Sequence, residues 1–166
     1  MSLQNPNYTS QRIPNGKLGV AATLNAMRRM VKRAKKSRNI RELAMRIVQP
    51  IPNKDWAGEI RAIQQWVQHN IRYTRDIAGV ETLQSPEHTV RLRAGDCDDH
   101  AMLVAALLQS IYHPARFRAI GKTHNSFCHV YVETKIANKW FSVETTEPVN
   151  LGWLPGGIKS SMLRHM

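Results

Sequence analysis

From Leu18 onward apolar residues recur near helical spacing. Leu18, Ala22, Met27, Met30, Val31 and Ala34 form the series, and basic residues fill the gaps. Ser37 and Asn39 mark a break. A second short helix is predicted from about Ile40 to Val48, ending before Pro50. Pro52-Asn53 reads as a turn, and Asp55 is a good N-cap for a helix over about 56–69 that puts Ile60, Ile63, Trp66 and Val67 on one face. Ile71-Arg72-Tyr73 looks extended. Ser85-Pro86-Glu87 combines a cap with proline at the first helical position, so a short helix should follow. Gly95-Asp96 then opens the most regular helix of the chain, with Cys97, Ala101, Val104, Leu108 and Ile111 on one stripe and Pro114 closing it. After Pro114 the period drops to two. Ala115 to Ile120, Phe127 to Thr134 and Lys139 to Val143 read as strands, the last two as a hairpin over a four-residue loop, 135–138. The tail, with Gly152, Pro155, Gly156 and Gly157, reads as loop. Helices first and a small antiparallel sheet afterwards define an α+β class.

Charge divides the chain unevenly. Residues 1–49 hold 11 of the 24 Lys/Arg but only one acid, Glu42. The basic excess therefore belongs to the N-terminal third and suits a contact with an acidic protein, an anionic envelope or nucleic acid. Aromatic residues are absent between Thr9 and Asp55, which removes the stacking platform of single-strand binders and ranks nucleic acid below a protein contact. The expected organisation is a basic arm and helix over 1–38, a domain over 39–155 and a tail over 156–166. No apolar run approaches the roughly 18 residues of a membrane span. Met1 to Asn5 lacks the basic-then-apolar pattern of a signal peptide, so synthesis in a cytoplasm is expected.

The two cysteines, Cys97 and Cys128, are too few for a disulfide scaffold or an all-thiolate zinc site. Cys128, on the same strand face as Val130 and Val132, is expected in the core. Cys97 sits where a helix begins. Free N–H groups and the helix dipole favour a thiolate there and can hold an oxyanion. A nucleophile also needs a base, and the base a partner that orients it. On a strand, His129, Tyr131 and Glu133 share one face. With the four-residue loop, His129 lies directly opposite Glu144, about 5 Å away at Cβ. The acids Asp96, Asp98 and Asp99 diverge by about 100° per residue on a helix, which suits capping better than a metal. Neither a metal nor another cofactor is expected.

Three segments together resemble the transglutaminase-like superfamily. Arg93-Ala94-Gly95-Asp96-Cys97-Asp98-Asp99-His100-Ala101 looks like its nucleophile segment, Phe127 to Glu133 like its histidine strand, and Trp140 to Thr146 like its acid strand. Asn70 to Tyr73 and Leu83 to Glu87 fit as well. The resemblance spans roughly residues 40–155 and is nearest to the compact members encoded by bacteriophages. It implies a papain-like fold and a catalytic set of Cys97, His129 and Glu144, with glutamate where the family usually has aspartate. It also implies a thioester formed with an amide carbonyl of a protein or of cell-wall peptidoglycan. Water as acceptor gives hydrolysis; an amine gives cross-linking. Gln84, an amide donor leading into the cysteine helix, is the candidate for a second oxyanion contact. A phage origin would further imply a host-cytoplasm product, incorporation into the virion, and contacts with other phage structural proteins through the basic N-terminal region. The same fold could also serve there as a tail or head assembly protein with little or no catalysis.

Overall fold

The computed structural model of the protein describes residues 13–75 and 82–166, so the polar arm over 1–12 lies outside the described residues. Three helices come first: α1 (Gly16–Ala34), α2 (Arg38–Val48) and α3 (Trp56–Asn70). Asp55 caps α3 by accepting from the Gly58 N–H at 2.9 Å. A short parallel pair, β1 (Arg72–Tyr73) with β2 (Ala94–Gly95), brackets α4 (Pro86–Leu92). Ser85 caps α4 and Pro86 occupies its first turn, as the sequence predicts. Then come α5 (Cys97–Ser110) and the sheet strands β3 (Ala115–Gly121), β4 (His129–Ile136), β5 (Lys139–Val143) and β6 (Ser160–His165), in spatial order β5-β4-β3-β6, all antiparallel. The α+β expectation holds. Among the described residues no helix is long and apolar enough to cross a membrane.

Helix α5 is the axis of the molecule. Every residue from Asp99 to Leu108 is buried, so it is covered all round rather than along one stripe. It packs against α1, α2, α3 and α4 and against strands β3 and β4. One continuous core results. It includes Leu24, Met27 and Val31 of α1, Ile60, Ile63 and Val67 of α3, the middle of α5, and Phe117, Val130 and Val132 of the sheet. The basic first helix thus contributes its apolar face to the same core as the rest.

Three expectations change. The β4–β5 hairpin turns over two residues, Ala137 and Asn138, both at positive φ, rather than over four. Such a pair matches the twist of a tight hairpin. Ile136 therefore pairs with Lys139 and Val132 with Val143. That register places Glu144 across from Tyr131, so His129 is its diagonal neighbour and not its direct partner. The shift is two residues, so both side chains stay on one face. The second change is Cys128, which is exposed, because it precedes β4 at the frayed sheet end. The third is the supposed loop-like tail, where residues 160–165 form β6 and close the free edge of β3. Only its alternate positions are half-buried, so its apolar signal is weak.

Phe117, fully buried on central strand β3, tests this core. Phe117→Ala should lower unfolding free energy by about 3–5 kcal/mol in urea titration. A loss below about 1 kcal/mol would mean that sheet and helices do not share one packed interior.

Candidate active site

Cys97 is the first residue of α5. Asp96 caps the helix, accepting from the N–H groups of Asp98 (2.9 Å) and Asp99 (3.1 Å). The Asp99 carboxylate returns the favour to the Asp96 N–H at 3.3 Å, which completes a capping box. Asp99 is fully buried and also accepts from the Gln84 N–H and the Gln84 side-chain amide, both at 2.8 Å. It thereby ties the segment before α4 to the start of α5. Gly95 makes this possible: a Cβ there would stand 2.6 Å from the Asp99 side chain. The acids beside the cysteine serve capping and tethering.

The sheet supplies the partners. His129 Nε2 meets Glu144 Oε2 at 2.6 Å. The other carboxylate oxygen, Oε1, accepts from the N–H groups of Thr145 (2.8 Å) and Thr146 (2.7 Å) and from the Thr146 hydroxyl (2.9 Å). Helix α3 clamps the same corner, with Gln64 donating to the Glu144 carbonyl at 2.9 Å and Gln68 at 3.1 Å. Burial alone would push the Glu144 carboxyl up. The hydrogen bond and charge of His129, with the Thr146 donors, outweigh it and hold the group below its usual range. Glu144 is therefore a fixed anion, and His129 Nε2 carries the proton it accepts. Nδ1 is the ring nitrogen left over.

The thiol of Cys97 lies against β4, where the backbone N–H of Val130, the residue after His129, faces its sulfur. Its only other polar contact among the described residues is with Asp98 Oδ1 at 3.7 Å. Helix position alone suggests a thiolate. Here burial pushes the thiol well above its ordinary range, the carboxylates of Asp98 and Asp96 push the same way, and the Val130 N–H only partly offsets them. Burial and the two acids therefore favour the protonated thiol.

Tyr73, at the end of β1, sits within electrostatic range of Cys97, and burial raises its phenol. Its ring meets His100 edge-on at 6.2 Å. His100, one turn along α5 from Cys97, is fully buried, with Nδ1 3.2 Å from the Thr145 hydroxyl. A pocket of about 220 Å³ opens beside this corner, with Tyr73, His100, Thr145 and Thr146 in its walls. The Gln84 amide nitrogen is bound to Asp99, leaving one of its two hydrogens uncommitted. Asp99 caps as the sequence predicts, whereas Tyr73, His100 and the glutamines of α3 are contributors with no signal of their own in the sequence. A polar residue buried at helical spacing looks the same whether it serves a site or a core.

The sequence profile of the transglutaminase-like superfamily matches residues 41–145, well over half of the chain, and the protein belongs to that superfamily. Among solved structures, one described as a putative cysteine protease from Cytophaga hutchinsonii superposes with a TM-score of 0.59 at 23% identity, over 82% of this chain and 47% of that one. A putative protease from Parabacteroides distasonis gives a TM-score of 0.59 at 15% identity, over 74% of this chain and 26% of that one. This chain spans less than half the length of either. No curated protein matches it.

Burial holds the His100 imidazole down to about 4, against the pull of Glu144, from its ordinary value of 6.5. The unfolded chain therefore binds a proton that the folded chain refuses, and stability falls as pH drops from about 6.5 to about 4. His100→Gln removes this component. Its urea-unfolding free energy should trail wild type most at pH 7 and close much of the gap by pH 4.5. A gap independent of pH would contradict a buried neutral His100.

Proposed function

We propose that the protein is a cysteine hydrolase that cleaves an amide bond, in a peptide or in cell-wall peptidoglycan, through a thioester on Cys97. The observation that carries this reading is the 2.6 Å His129–Glu144 contact on the strand whose next residue, Val130, touches the Cys97 sulfur. Because the thiol rests protonated, the mechanism is general-base attack rather than use of a stored thiolate. His129 Nδ1 takes the proton as Sγ bonds to the substrate carbonyl carbon. Glu144 stabilises the imidazolium that forms. The Cys97 N–H, free at the helix start, faces the developing oxyanion, with Gln84 or Tyr73 as a second donor. His129 returns the proton to the leaving amine, the C–N bond breaks, and a thioester remains. Water, deprotonated by the same histidine, attacks the thioester and releases a carboxylic acid and the free thiol. An amine in place of water would give cross-linking. The pocket beside Tyr73 and Thr146 offers room for a group flanking the scissile bond.

The raised thiol also supports a second reading, in which the fold serves assembly, for example in a phage particle, and catalysis is weak. One experiment separates the two. Wild type, Cys97→Ala, His129→Ala and Glu144→Gln are incubated with peptide-amide libraries and purified peptidoglycan, and released amines and acids are quantified. The hydrolase reading expects activity in wild type, none in Cys97→Ala, and His129→Ala down by about 10²–10⁴-fold. Glu144→Gln, which keeps shape but loses the anion, should retain more than His129→Ala does. Product release that survives Cys97→Ala defeats the thioester mechanism. No product from wild type, together with slow alkylation of Cys97 between pH 6 and 8, favours the assembly role.

A further inference from the structure

The strongest unexplained feature lies at the far end of α5 from Cys97. Along α1 and α2 the exposed side chains include Arg29, Lys32, Arg33, Lys36, Arg41 and Arg46. The sole acid among residues 1–49, Glu42, is already bound to Arg38 at 2.7 Å. The single acid of α3, Glu59, is bound to His113 at 2.6 Å. A face exposed only for solubility usually mixes both signs. A shallow groove is lined by Arg38, Arg41, Glu42, Met45 and Arg46, with Glu42 neutralised by Arg38.

The fold adds an aromatic ring to this face. Tyr112, just beyond α5, is 80% exposed, and the Arg41 guanidinium stands 5.5 Å from its ring centre. Arg41 also donates to its hydroxyl at 3.4 Å. Tyr112 holds φ 71°, a conformation uncommon for so bulky a residue. Along the sequence it is 71 positions from Arg41, so no local pattern joins the two. The stacking element absent from the basic segment itself is thus delivered by another part of the chain.

We infer that the α1–α2 face with Tyr112 is a binding surface for single-stranded nucleic acid. The cations follow the phosphate backbone, and the open face of the Tyr112–Arg41 pair accepts a base. Fourteen residues of α5 put about 20 Å between the Tyr112 end of this face and Cys97. Nucleic acid and an amide substrate therefore do not compete for space, and this surface is independent of the catalytic reading.

The test is fluorescence anisotropy with an end-labelled 20-nucleotide single strand and the matching duplex, from 50 to 200 mM NaCl. For about five phosphate contacts, single-strand affinity should fall about a hundredfold over that range. Arg41→Glu/Arg46→Glu should bind at least tenfold more weakly than wild type. Tyr112→Ala should weaken the single strand about fivefold or more and leave the duplex within about twofold, as loss of a stacked base requires. Cys97→Ala should bind like wild type. Circular dichroism of each variant checks folding, and the wild-type salt dependence needs no variant. Absence of binding at 50 mM NaCl overturns the inference. So does equal binding by the double variant, equal competition from polyglutamate of the same charge, or a duplex preference unaffected by Tyr112→Ala.

Discussion

Burial of α5 on all sides is the constraint from which the rest follows. A helix covered by four others and by two strands cannot rotate or slide without breaking the core. Its first residue is Cys97, so the core itself fixes where the sulfur stands relative to β4. The Asp96–Asp99 capping box and the Gln84 tether then secure the one end of the helix that the core leaves uncovered. Gly95 belongs to the same economy, since a side chain there would displace Asp99. A small number of polar groups thus positions Cys97, and apolar packing holds those groups in register.

Charge within the site is arranged in opposition. Glu144 is stabilised as an anion by His129, two backbone N–H groups and a hydroxyl. Cys97 is discouraged from becoming one by burial and by Asp98 and Asp96. The two effects favour a carboxylate at Glu144 and a protonated thiol at Cys97. A protonated thiol resists adventitious oxidation and alkylation better than a thiolate, at the cost of requiring proton transfer in the attack. Asp96 thus has two effects, capping α5 and, with burial and Asp98, keeping its cysteine quiet.

Much of this was legible in the sequence, because the relevant signals are local. Ser85-Pro86 and Asp55 announce helix starts through their own chemistry, and the alternation over Phe127 to Thr134 places His129 opposite the core. Local signals fail where the partner is distant. The hairpin loop was read as four residues because Ala137 carries no turn signature, yet the conformation at positive φ is imposed by the paired strands on either side. Strand β6 escaped because Ser160-Ser161-Met162-Leu163-Arg164-His165 has little apolar content, and what makes it a strand is the open edge of β3. Tyr112, His100 and Gln64 have meaning only through contacts made far along the chain. The raised Cys97 thiol depends on burial, which periodicity cannot measure.

The tight β4–β5 turn has a consequence for how this hairpin can drift among descendants. His129 and Glu144 meet because each points to the same side of the sheet, and that agreement depends on the register in which β4 and β5 pair. A slip of two residues toward direct pairing slides the carboxylate along the strand and keeps it within a long side chain's reach. A slip of one sends it through to the opposite side, unless a bulge absorbs the change. A residue added within the turn itself leaves the register intact, so this hairpin tolerates a change of turn length better than an odd slip of its strands.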